Sequence, residues 1–167
     1  FGLSERGLTI ETLARAEPLI VRGNLSIRQP AIMTVKWGVD RYPAGANWEA
    51  GVNNEAIMVM VQYGTERLSG GLFLPTSPYF IGFFLCQKER VGALITGRSY
   101  TQQGRYICVD KPAAGTEVTT TIDLAQQFQA AFKRAAPPVT GIGIEADTTQ
   151  VSGDGRASAW VRSIAIA

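Results

Sequence analysis

The sequence predicts a mainly β protein: an antiparallel β-sandwich or jelly roll with one amphipathic helix near residues 123–135. Three observations lead there. Eight to ten short segments rich in β-branched and aromatic residues are separated by Gly-, Pro- and Asn-bearing turns. Only one stretch has strong helical periodicity, so the pattern is not that of alternating βαβ units. The chain has 167 residues, 46% of them hydrophobic and 18% charged, enough to bury one core without disulfides or metal.

Residues 1–30 are the least regular part and read as an N-terminal arm or as edge strands, with 31–167 as the sandwich domain. Within the arm, 8–15 places Leu8 and Ile10 on one strand face without excluding helix, and 17–22 (EPLIVR) is extended. Residues 31–39 set Ala31, Met33, Val35, Trp37 and Val39 on one face at period two, so Trp37 reads as core. A loop at 41–53 follows, marked by Pro43, Gly45, Asn47 and Gly51. Residues 55–63 are apolar on both faces, as a central strand is. Further extended segments fall at 67–74, 79–86, 91–96 and 105–110.

Leu124, Phe128, Ala131 and Phe132 then follow helical spacing, with Asp123 as N-cap, Gln126 completing a capping box and Pro137-Pro138 as the stop. Residues 139–146 and 156–167 form two last strands around a polar loop at 147–155. Gly141 and Gly143 sit in a strand rather than before a helix. They therefore mark a bulge or close packing, not a dinucleotide fingerprint.

Composition removes whole classes of chemistry. The absence of histidine excludes Ser-His-Asp and Cys-His nucleophiles, histidine-bound zinc and ordinary haem ligation. The net charge of +2 is spread over scattered arginines and lysines, which argues against a nucleic-acid partner. No apolar run reaches the roughly 18 residues of a membrane helix. The chain begins at Phe1, which points to a removed leader or a fragment.

Cys86 and Cys108 are too few for a disulfide framework and fit no zinc pattern. They lie in strand candidates that a meander would make neighbours. Either they form a disulfide or they are two buried thiols acting as small apolar residues.

Candidate ligand-binding residues are Tyr42 and Trp48 in the 41–53 loop and Trp160 with Arg162 in the last strand. A flat ring matches the C–H face of a pyranose, and loops held by a sandwich are where ligands bind. Glu55 and Glu145, each beside apolar sequence, are the carboxylates most suited to a catalytic pair, against an ordinary surface or ion-paired role. Glu145, Asp147 and Asp154, with hydroxyls and glycines between them, supply hard oxygen ligands suited to calcium, against a solvated Asx-type turn.

Several segments together resemble a bacterial family, domain of unknown function family 3047. They are Trp37-Gly38-Val39 with the loop RYPAGAN, Asn53-Asn54-Glu55-Ala56 opening a long strand, and Gly104-Arg105-Tyr106-Ile107. The Asp-led helix with two phenylalanines, the run from Gly141 to Thr148 and the final strand complete the order over residues 31–167. The resemblance implies an exported protein, periplasmic or extracellular, with a jelly roll like those of carbohydrate-binding modules and no established activity. Asn53-Asn54 stands where the family has an acidic pair, Tyr106 where a tryptophan is usual, and Thr149 where a second acid follows. Each change removes charge or aromatic surface from a shared site.

The expectation is therefore a non-catalytic binding or accessory domain with a glycan or protein partner. The alternatives are a structural subunit of a homo-oligomer or larger complex, and a polysaccharide lyase or hydrolase.

Overall fold

A computed structural model describes all residues, 1–167. Its strands are β1 (Gly2–Ser4), β2 (Gly7–Thr12), β3 (Leu19–Arg22), β4 (Ile32–Arg41), β5 (Glu55–Leu68), β6 (Ser77–Leu85), β7 (Leu94–Ile95), β8 (Gly104–Asp110), β9 (Glu117–Asp123), β10 (Val139–Asp147) and β11 (Ala157–Ile166). The α-helix α1 spans Leu124–Phe132, and one 3-10 turn spans Trp48–Ala50.

The strands form two sheets, ordered β1-β2-β11-β4-β9 and β3-β10-β5-β6-β8-β7. From β2 to β5, and again from β9 to β11, the chain crosses between sheets at each connection, which is jelly-roll winding. Residues 1–30 belong to this body: β2 pairs with β11, and β3 pairs with β10. One pairing departs from the antiparallel expectation. β6 and β8 run parallel, with Phe80 opposite Gly104 and Phe84 opposite Cys108. The intervening chain returns through β7, the edge strand antiparallel to β8, so β6 and β8 point the same way.

The period-two pattern of β4 explains the core. Met33, Val35, Trp37 and Val39 face the opposite sheet, where Ile57, Val59, Val61, Ile81 and Phe83 meet them. The Trp37 indole N–H donates to Thr120 Oγ1 at 3.0 Å, so its one polar atom is satisfied inside the core. Helix α1 closes one end of the sandwich. Its Phe128 ring lies 4.7 Å from Tyr63, and Asp123 Oδ1 accepts the Gln126 N–H at 2.9 Å. The helix ends before its prolines, at Lys133, whose φ of 57° is left-handed.

Two further differences from the sequence reading have local causes. The extended segment expected at 67–74 stops with β5 at Leu68. Beyond it, Gly71 and Phe73 take φ of 126° and 66°, and two positive φ so close together break the extended run. Strand β9 occupies a stretch the sequence reading passes over. Its Val118, Thr120 and Ile122 alternate toward the core, and the strand pairs with β4 along its length.

No helix is long and apolar enough to cross a membrane.

Candidate functional site

β5 is apolar on both faces because the outer face of its sheet is also covered. Trp48, Met58, Phe84, Cys86 and Cys108 form a second buried cluster there, with Tyr106 and Ile95 against it. Cys86 and Cys108 are joined by a disulfide, Cα to Cα 5.7 Å, which ties the end of β6 to β8 beneath the aromatic side chains.

The Trp48 turn is clamped from several sides. Asn47 Oδ1 caps it by accepting the Ala50 N–H at 3.1 Å, and Gly51 ends it with a left-handed φ of 81°. Glu89 Oε1 accepts the Trp48 backbone N–H at 2.7 Å, and Glu49 pairs with Arg90 at 2.7 Å. The Trp48 indole stacks on Tyr106, ring centroids 4.1 Å apart, and its N–H donates to Glu55 Oε2 at 2.8 Å. Two glycines make room for Tyr106: a Cβ at Gly82 would overlap Met58 and approach the tyrosine ring within 3.0 Å, and one at Gly97 would stand 2.7 Å from it.

Beside this aromatic wall lies a cleft of about 290 Å³. Trp48, Tyr106 and Tyr100 line one side, and Glu17, Asn53, Glu145, Asp147 and Gln150 the other, with Arg98 exposed at the rim. Its polar side comes from three chain segments held together by hydrogen bonds. Asn54 Nδ2 donates to Asp147 Oδ1 at 2.8 Å and its Oδ1 accepts the Gln150 N–H at 3.0 Å, joining the start of β5 to the loop after β10. Thr148 Oγ1 accepts the Ala16 N–H at 3.1 Å, which holds Glu17 over the site. A register shift between Glu145 and Asp147 places both along this wall.

The electrostatics are those of carboxyl groups gathered without a counter-ion. Glu145 is 8% exposed, and its carboxyl makes no hydrogen bond or ion pair within the protein. Burial, then the charges of Glu17 and Asp147, push its pKa up to about 8, which favours its protonated form. Burial, then Glu145 and Asp147, hold Glu55 well above the usual carboxylate range, against the hydrogen bond from Trp48. Glu17 is raised as well, by burial and by Asp147. Asn53, 7% exposed, leaves its Oδ1 without a partner.

Of the ligand residues predicted from sequence, the structure brings only Trp48 to this cleft. Even that ring is 6% exposed and stacks on Tyr106, so it backs the wall rather than standing as an open platform. Tyr42 is turned away, its hydroxyl donating to the Pro112 carbonyl at 2.8 Å. Trp160 and Arg162 lie on the other sheet. Trp160 covers Gly38, where a Cβ would overlap its ring, and lies under the Arg6 guanidinium at 4.0 Å. Glu117 accepts from both the Trp160 indole, at 3.3 Å, and Arg162, at 2.7 Å. This cluster covers Gly38 and the Trp160 ring on the outer face of the five-stranded sheet.

The calcium set separates too. Glu145 and Asp147 line the cleft, whereas Asp154 pairs with Arg41 at 3.1 Å and Arg156 at 3.6 Å on the surface. Asp147 Oδ1 accepts the N–H and hydroxyl of Thr149, both at 2.7 Å, which makes the Asx-type turn. No group of three or more acidic side chains is arranged to hold a metal ion.

Sequence reasoning missed Glu17, Tyr100, Tyr106 as a wall residue and Arg98. Tyr106 carried a signal, a large aromatic in a strand interrupted by small residues; the loop residues carried none. No protein-family model, curated protein or solved structure matches this chain.

Proposed function

We propose that the domain binds a glycan in the cleft between Tyr106 and Glu145. The observation that carries this reading is the pairing of an aromatic wall with buried acceptors lacking protein donors, the Glu145 carboxyl and Asn53 Oδ1. Tyrosine rings stack on sugar C–H faces, and hydroxyls supply the missing donors. The volume lies at the small end of small-molecule sites and suits a short segment of a chain. The Cys86–Cys108 disulfide supports an exported location, since such bonds persist in oxidising compartments. Membership of domain of unknown function family 3047 is part of the same proposal and rests on the motifs quoted above.

Titration calorimetry against a panel of oligosaccharides tests it. Saturable binding that Tyr106→Ala weakens tenfold or more supports the reading; no binding by the parent protein refutes it.

A second reading, hydrolysis of a glycosidic bond, is favoured by the place of Glu145 in the cleft beside Asp147, where burial favours the protonated form a general acid needs. New reducing ends in the same panel, lost in Glu145→Gln, support it; intact oligosaccharides refute it.

A further inference from the structure

The sandwich is left open beside the last half of β11. β2 pairs with β11 only from Ala157 to Val161, whereas β4 runs alongside it as far as Ile166. Residues Ser163 to Ile166 therefore have a strand neighbour on one side only. Ile32 and Ala167 exchange both backbone hydrogen bonds. The alternation of an antiparallel ladder then turns the N–H and C=O groups of Ile164 and Ile166 to the free side. That edge carries neither proline nor charge, the usual guards of a free strand. The same two isoleucines pack inward against the core. With Ile20 of β3 and Ile142 and Ile144 of β10 they line an apolar slot of about 360 Å³ between the sheets. Ile20 remains 43% exposed there. One charge stands in the lining, Arg22, and it makes no ion pair. The slot shares no residue with the cleft of Tyr106 and Glu145.

A free edge beside an apolar slot is matched by one added strand. In antiparallel register, residues opposite Ile164 and Ile166 bond to them and turn their side chains into the slot, while the residues between face water. An acid on that inward face complements Arg22. An acyl chain would fill the slot but leave the β11 edge unpaired. Two copies meeting slot to slot would bring two Arg22 side chains into one contact and no acid to either. We propose that the slot takes an extended peptide segment of a partner protein, apolar at alternate positions and with an acidic residue on the same face. The added strand extends the five-stranded sheet beside β11 and covers Ile20, Ile142 and Ile144.

The test uses short capped peptides alternating threonine and valine, with glutamate at either end of the valine face in turn, and their lysine counterparts. Each is titrated calorimetrically into the full chain. The better-placed glutamate peptide is expected to bind about threefold more tightly than its lysine counterpart, the scale of an exposed ion pair, and Arg22→Glu should reverse the order. N-methylation of the valines should weaken binding about tenfold or more, because those N–H groups face β11. N-methylation of the threonines should leave it unchanged. Ile20→Asp should abolish binding; should it fail to fold, the two N-methylated peptides read the same edge on the parent chain. No peptide binding, or equal loss from both N-methylations, overturns the proposal. Binding of decanoate without binding of peptide gives the slot to an acyl chain, and self-association that Ile20→Asp abolishes gives it to a second copy. Either result overturns the proposal.

Discussion

The Trp48 indole N–H donates to Glu55 Oε2 at 2.8 Å, joining the 3-10 turn of the 41–53 loop to the first residue of β5. Both groups are buried, so neither finds water if the other is removed. Trp48→Phe keeps the stack on Tyr106 but orphans Glu55. It should lower unfolding free energy by about 1–3 kcal/mol in urea titrations, the usual cost of an unsatisfied buried polar group. Glycan affinity should change less than stability, because a ring still backs Tyr106.

The gathered carboxyl groups make stability depend on pH in an unusual direction. Glu145 and Glu55 have folded-state pKa values above those of the unfolded chain, so the native state binds more protons between roughly pH 4.5 and 8. Their contribution is fully present below the unfolded pKa and is lost as pH rises through the folded one. Melting temperature should therefore be higher near pH 5 than near pH 8, a span on the order of a few kcal/mol. Glu145→Gln should flatten that slope. A protein more stable at pH 8 than at pH 5 contradicts the assignment.

The Cys86–Cys108 bond closes a loop that contains the edge strand β7, with a sequence separation of 22. In the chain-entropy model a loop of this size contributes roughly 3 kcal/mol. Non-reducing mass spectrometry after alkylation should find neither thiol modified. Reduction should lower the melting temperature and loosen the Trp48–Tyr106 wall above the bond, read as a shift in tryptophan emission.

Gly82→Ala adds one methyl group between Met58 and Tyr106, where no room exists. Overpacking of this kind costs about 1–3 kcal/mol. The displaced tyrosine should cost glycan affinity beyond what the loss of stability explains, measured by calorimetry at a temperature where the variant is fully folded.

The cluster on the other sheet should behave oppositely. Trp160→Ala removes a ring buried between Gly38 and Arg6 and should destabilise by about 3–5 kcal/mol, as for other buried aromatics. Ligand affinity at a temperature where it remains folded should be unchanged.

The sandwich was legible because β4 alternates strictly and α1 carries both a period and a cap. The site was legible only in fragments. Trp48 and the pair Glu55 and Glu145 stand out locally, as a ring in a loop and acids beside apolar runs. What joins them is long-range: the register of β5 on β10, and a loop at 13–18 held by Thr148. Trp160 shows the opposite error. An alternating strand exposes one face in principle, and nothing local reveals that Arg6 and Glu117 cover it.

The most direct test of the glycan site uses the three tryptophans as reporters. Each indole N–H gives one amide-correlation resonance. Trp48 lies at the cleft, Trp37 in the core and Trp160 on the other sheet. On titration with an oligosaccharide that binds, the Trp48 indole and the Tyr106 and Glu145 backbone signals should shift together along one saturable curve while Trp37 and Trp160 stay still. Movement centred on Trp160, or saturable binding that leaves Trp48 and Tyr106 unshifted, would contradict it.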